Sequence, residues 1–175
     1  LEPTSGTPYE PTGNPMLDGI GPGAYAERAD VPDVTLEGEV KIVPLRAAEG
    51  FELAKRDPNP IGMEVVGCDK EVGGTITDVW VDKSERMIRF YEVAPADGAE
   101  GDRVLLPVNF AVFRRWRSRG NNQLYVHAIT GSQFAHVPQT KKPDEVTMLE
   151  EEKVFGYFGG GLLYATPRRV GPALL

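Results

Sequence analysis

The stretch TDVWVDKSERMIRFYEV, residues 77–93, decides the fold because it has the pattern of two strands joined by a short turn. Side chains of a strand alternate between its two faces. Residues 77–82 and 87–93 follow this alternation, and the polar residues 83–86 between them suit a turn. The stretch therefore predicts a β-hairpin.

The two faces of this hairpin differ in composition. One carries mostly apolar side chains and is a core face: Thr77, Val79, Val81, Ile88 and Phe90. The other mixes charged and aromatic side chains, paired across the hairpin as Asp82 with Met87, Trp80 with Arg89 and Asp78 with Tyr91. Such a face is too aromatic for open water and too charged for a core, so we expect a partner to cover it.

Further short strands surround the hairpin. The pattern predicts strands over residues 39–45, 62–68, 74–82, 87–93, 102–108 and 123–129, separated by the turn signals DPNP, PADGAEG and RGNN. Connections this short favour an antiparallel meander, which must curl into a small barrel or sandwich to bury its faces. We assign this domain to residues 37–140.

The segments on either side have a different character. Residues 1–36 contain six prolines and little apolar periodicity, so they form either a flexible tail or an extended strap over a partner. In residues 141–175, Thr147 and Glu150 have the spacing of a capping box. This predicts a helix from Met148 to Tyr157 or somewhat beyond, followed by a tail.

Composition excludes several classes of protein. The net charge of −7 and the pI near 4.9 argue against nucleic acid as the main partner. Cys68 is the single cysteine, so an internal disulfide framework is excluded. His127 and His136 lack partners at ligand spacing, and we predict no metal site. No nucleophile motif is present, which disfavours the reading as a small soluble enzyme.

Two charged clusters suggest a function. The acids near Arg89, namely Asp78, Asp82 and Glu85, form either a surface ion-pair cluster or, if covered, a set of groups that titrates near neutral pH and passes protons. The run FRRWRSRG at 113–120 forms either a solvated hairpin or a contact with an anionic membrane or an antenna protein, through Arg114, Arg115, Trp116 and Arg117.

The sequence also resembles a known family along most of its length. NPMLDGIGPGAYAERAD, KIVPLRAA, NPIGMEVVGCD, GGTITDVWVDKSERMIRFYEV, LLPVNF, FAHVP and EVTMLEEEKVFGYFGGGLLYATP occur in this order from Asn14 to Pro167. They resemble the H subunit of the purple-bacterial photosynthetic reaction centre. The resemblance implies a mainly β protein with a small antiparallel PRC-type barrel, an extended N-terminal strap and one C-terminal helix.

The family implies a location and a set of partners. It caps the L and M subunits at the cytoplasmic face of the photosynthetic inner membrane. Bacteriochlorophyll, bacteriopheophytin, quinones and non-haem iron belong to L and M, so we expect no cofactor on this chain. Family members begin with a transmembrane helix that this sequence lacks, and its start at Leu1 suggests a missing N-terminal portion.

The resemblance also assigns residue roles. Glu85 and Asp82 match acids that deliver protons to the secondary quinone, and Arg89, Glu145, Glu151 and Asp78 match a charged network at the interface with L and M. Glu37 and Glu39 stand at the surface proton entry, where some members carry histidines. The alternative is a free-standing PRC-barrel adaptor that binds protein or RNA-processing partners without proton traffic.

Overall fold

A computed structural model describes residues 12–115 and 122–170. It contains one curled sheet of seven strands: β1 Ile42–Pro44, β2 Glu64–Val66, β3 Val72–Asp82, β4 Met87–Pro95, β5 Val104–Pro107, β6 Ala111–Arg115 and β7 Asn122–Val126. The strand order is β5-β4-β3-β2-β7-β6, and β1 pairs with the end of β3 that β2 leaves free. This half-barrel with a single C-terminal α-helix in the described residues confirms the predicted fold class.

Two details of the sheet differ from the expected antiparallel meander. The pair β2–β7 is parallel, whereas the other ladders are antiparallel. The sequence pattern also missed β6, because the arginine-rich run after Phe113 hides the alternation of a strand. The remaining six strands lie where the pattern predicted them, with shifts at their ends.

The register of the central hairpin is only partly as predicted. Asp82 pairs with Met87 as expected, but Trp80 pairs with Phe90 rather than Arg89, and Asp78 pairs with Glu92 rather than Tyr91. The cause is a β-bulge on β4, where Arg89 is an extra residue between the pairs of Ile88 and Phe90. A bulge changes the direction of the side chain that it carries. Here it directs the Arg89 side chain toward the turn between β3 and β4.

Part of the polar face of the hairpin is covered by the chain itself. Asp78, Trp80 and Asp82 are 6%, 1% and 0% exposed. Met87 and the Arg89 side chain on the same face are 42% and 37% exposed, so a partner over this part of the face stays a prediction. Segments distant in sequence supply the cover, because Arg46 and the loop before the helix fold onto β3 and β4.

The C-terminal helix α1 spans Met148–Tyr164 and begins with the predicted capping box. The Thr147 side chain accepts from the Glu150 N–H at 3.1 Å, and the Glu150 carboxylate accepts from the Thr147 N–H at 2.9 Å. The helix continues past Tyr157 through several glycines, which are poor helix formers. Tertiary packing compensates for this weakness, because the core side chains Val154, Tyr157 and Phe158 are buried.

The described part of the N-terminal strap, from residue 12 onward, lies on this helix. A short 3-10 turn at Gly21–Gly23 contacts the glycine-rich face of α1, and Met16 is only 3% exposed. Further along, Pro32 forms a bridge with Thr147, and the Met148 N–H donates to the carbonyl of Val31 at 3.0 Å. The strap thereby connects α1 to β1, the strand that follows the strap in the sequence.

Candidate functional site

The turn between β3 and β4 is organised by a buried carboxylate. Asp82 Oδ1 accepts from the backbone N–H groups of Ser84 at 2.9 Å and Glu85 at 3.0 Å. Arg86, at a φ of 54°, closes the turn and donates its N–H to the Asp82 carbonyl at 2.8 Å. Asp82 therefore fixes the backbone that presents Glu85, whose side chain is 54% exposed.

Two cations connect this turn to its surroundings. Arg89 Nε lies 3.3 Å from Asp82 Oδ2, and Arg89 Nη2 lies 3.8 Å from Glu85 Oε2. On the other side, Lys41 Nζ lies 3.8 Å from Asp82 Oδ2 and 3.3 Å from Asp33 Oδ2. We call this set, Asp33, Lys41, Asp82, Glu85 and Arg89, the hairpin network. It joins strap, sheet and turn through alternating charges.

Glu151 in the first turn of α1 borders the hairpin network. Burial raises the pKa of its carboxyl to about 7, although Arg28, Arg89 and Lys41 oppose the shift, and Asp33 adds to it. A carboxyl with this pKa exchanges a proton near neutral pH.

Glu37 and Glu39 lie beside the same turn, at its outer surface. Glu39 forms an ion pair with Lys83, whose hydrogen bond lowers the pKa of the Glu39 carboxyl. Both acids line an open depression together with Thr35, Ala47, Glu49, Phe51, Lys83 and Ser84. The Ser84 N–H in turn donates to Asp82, so the depression adjoins the hairpin network.

Asp78 belongs to a different cluster. Its carboxylate and that of Glu92 each lie 2.9 Å from Arg46 Nη1, and Trp80 Nε1 donates to Glu92 at 3.0 Å. Arg46 also donates to Asp144 at 3.1 Å. We call these five residues the Arg46 cluster. The expectation that Asp78 joins Arg89 was wrong, because the bulge and the cover from Arg46 separate the two groups.

The remaining predicted residues lie apart from the hairpin network. Glu145 forms an ion pair with Lys142 in the loop before α1. Arg114 is exposed on β6, with its guanidinium 4.1 Å from the centre of the Tyr125 ring. Arg115 ends β6. Trp116 and Arg117 are outside the described residues.

Sequence reasoning missed five charged residues that complete these clusters, one of which is Asp144 beside Arg46. Asp33 and Lys41 hold the outer side of the hairpin network, and Arg46 and Glu92 form the centre of the other cluster. A signal was present for Glu92 and Lys41, because each is a charged residue inside an apolar strand pattern, in RFYEV and EVKIV. Buried charges in such positions are normally paired.

Comparison with known protein families finds matches for two regions of the chain. Residues 53–133 match the PRC-barrel domain, which accounts for the curled sheet and defines the class of protein. Residues 1–47 match the N-terminal region of the photosynthetic reaction centre H-chain. The two matches together identify the chain as an H-subunit-like protein of the photosynthetic reaction centre.

The H-chain match has consequences at a coarse level. It places the protein in a membrane-associated reaction-centre complex with other subunits, as an accessory subunit. Within residues 12–115 and 122–170, no helix has the length and apolar character needed to cross a bilayer. The same part of the chain has no group of three or more His, Cys, Asp or Glu side chains that could hold a metal ion.

Proposed function

We propose that this chain is a non-catalytic subunit that caps the L and M subunits on the cytoplasmic side of the photosynthetic membrane. In this role it stabilises the quinone sites and provides part of the proton path to the secondary quinone. One observation carries the proposal: Asp82, Glu85 and Arg89 form a single network that borders Glu151. Pigments, quinones and non-haem iron are held by L and M in this proposal.

The proposed path begins at the depression that Glu37 and Glu39 line. Protons collected there pass to the turn, where Glu85 is the exposed carboxylate and Asp82 holds the backbone in place. Arg89 connects Glu85 with the region of Glu151, a carboxyl that binds a proton near neutral pH. Carboxylates held close together in this way offer successive binding sites for a proton on its way from the surface.

Flash-induced electron transfer in intact reaction centres tests this proposal. Glu85→Gln keeps the size and hydrogen-bonding capacity of the side chain but removes the titrating group. We expect the proton-coupled second electron transfer to slow at least tenfold, a loss on the scale of a general acid–base group. The first transfer should change little.

Glu100→Gln is the matched control, because Glu100 is an exposed acid in the loop between β4 and β5. Its kinetics should equal those of the unmodified protein. Equal rates in Glu85→Gln and in the control would contradict the proton path and leave the subunit a structural cap. Loss of L and M binding is measured separately, by co-purification of the subunits.

A further inference from the structure

Charge is unevenly distributed along this acidic chain. Residues 103–143 contain no aspartate or glutamate but seven lysines and arginines, whereas the rest of the chain carries a net charge of −14. Four of the seven cations lie in the run 114–119. A basic segment of this kind creates a local positive field although the whole protein is negative.

The structure places the start of this run on an edge of the sheet. β6 pairs with β7 along one edge. It is the last strand in the order, so no strand of the described residues pairs with its other edge. Val112 and Phe113 are 58% and 45% exposed, which is high for apolar side chains in neighbouring positions of a strand. Phe113 contacts Tyr91 at a ring distance of 6.4 Å and thus lies at the rim of the core.

The outward face of the β6–β7 hairpin combines apolar, aromatic and cationic groups. Val112 pairs with Tyr125, and Arg114 is two residues further along β6 with its guanidinium over the Tyr125 ring. The exposed His127 follows on the same face, 6.4 Å from Tyr125 between ring centres. The neighbouring acid on this face is Glu64, which accepts a hydrogen bond from Gln123.

We propose that the outward face of the β6–β7 hairpin binds an anionic membrane surface. Arginine beside aromatic and apolar side chains suits the headgroup region, where aromatic rings lie at the boundary and cations meet negative lipid. The acidic remainder of the chain does not prevent this, because charges more than about 8 Å from the surface are screened at physiological salt. The proposal is independent of proton transfer.

Vesicle flotation with the full 175-residue chain tests the proposal. The vesicles contain either phosphatidylcholine alone or phosphatidylcholine with about a third phosphatidylglycerol. We expect binding to the anionic vesicles only, weakened by added salt. Each basic residue near the surface strengthens binding about fivefold, so Arg114→Gln should weaken it about fivefold.

Two further variants separate the explanations. Arg114→Lys keeps the charge and should bind nearly as well as the unmodified chain. Arg56→Gln removes the same charge from an exposed turn elsewhere and should bind normally. Equal weakening by both Gln variants would show a bulk charge effect and overturn the proposal. Absence of vesicle binding would also overturn it and would favour an antenna polypeptide as the partner of this face.

Discussion

Two carboxylates buried in the sheet, those of Asp78 and Glu92, share a single guanidinium. Arg46 reaches both from the segment after β1, with its own side chain 42% exposed. A buried carboxylate without a partner is costly, since desolvation removes the water that stabilised its charge. Arg46 is the cation that both carboxylates share, and Glu92 has a second, longer contact because Arg103 Nε lies 3.8 Å from its Oε1. The sequence did not single out Arg46.

Replacing this residue should destabilise the fold strongly. We expect Arg46→Met to lower the free energy of unfolding by about 2–4 kcal/mol, because Asp78 loses Arg46 and Glu92 keeps only its longer contact with Arg103. Denaturant unfolding followed by circular dichroism measures the effect. Arg56→Met, in an exposed turn, is the control and should cost less than about 0.5 kcal/mol. Adding Glu92→Gln to Arg46→Met should recover part of the loss, and no recovery would contradict this account.

Glu151 gives the protein a defined pH dependence. Its pKa is raised from 4.5 to about 7, so its ionised form is disfavoured in the folded chain. The stability that this carboxyl contributes is fully present below pH 4.5 and is lost as the pH rises to about 7. The loss should be about 1–2 kcal/mol, after allowing for solvent screening of a half-buried group.

Glu151→Gln should remove this pH dependence. The difference in unfolding free energy between the variant and the unmodified chain should therefore grow between pH 4.5 and 7 in favour of the variant. Groups with lowered pKa, such as Asp30 and Glu39, act in a lower pH range and are common to both proteins. Parallel stability curves for the two proteins across this interval would refute the raised pKa.

At the level of elements, glycines allow helix α1 and the strap to pack closely against each other. A Cβ at Gly156 would lie 2.8 Å from the Gly23 carbonyl oxygen, and one at Gly159 would lie 2.8 Å from the Pro22 carbonyl oxygen. Such distances are too short for carbon and oxygen, so the strap would have to move. The glycines cost intrinsic helix stability but allow two backbones to approach closely.

Gly156→Ala should therefore release the strap. Alanine normally stabilises a helix interior by up to about 1 kcal/mol relative to glycine, whereas here we expect a net loss of about 1–3 kcal/mol from the clash. Hydrogen exchange should show weaker protection of the backbone around Gly23, which donates to the Ile20 carbonyl. Leu162→Ala changes an exposed position of the same helix and should leave that protection unchanged. A stabilised Gly156→Ala variant would contradict the close approach.

The elements also show what sequence alone can predict. Alternation located six strands, and the capping box located the start of α1, because both signals are local. The bulge at Arg89 depends on how β4 pairs with β3. Asp78 is covered by Arg46, which is 32 positions away in the sequence. Such long-range choices leave no local pattern. The resemblance to the H subunit named the important acids but did not show that Asp78 lies apart from Glu85.

At the level of the whole molecule, the hairpin network joins the strap, the segment before β1 and the central hairpin, and it borders the helix. Asp33 comes from the strap, Lys41 from the segment before β1, Asp82 and Arg89 from the central hairpin, and the bordering Glu151 from the helix. A change in the charge of one of these residues therefore alters the electrostatic energy of the others. If the proposed proton path is correct, Glu85 and Glu151 are coupled through Arg89, because its guanidinium lies 3.8 Å from Glu85 Oε2 and its charge opposes the rise in the pKa of Glu151.

A double-mutant cycle in intact reaction centres measures this coupling. Glu85→Gln and Glu151→Gln should each slow the proton-coupled second electron transfer. The double variant should be slower than either single variant, but its slowing relative to the unmodified protein should be smaller than the product of the two single effects. The expected interaction is about 0.5–3 kcal/mol, the range for residues within one charged network. Glu145 pairs with Lys142 outside the network, so the cycle of Glu85→Gln with Glu145→Gln is the control and should be additive. Additivity in both cycles would mean that protons reach the two carboxyls by separate routes.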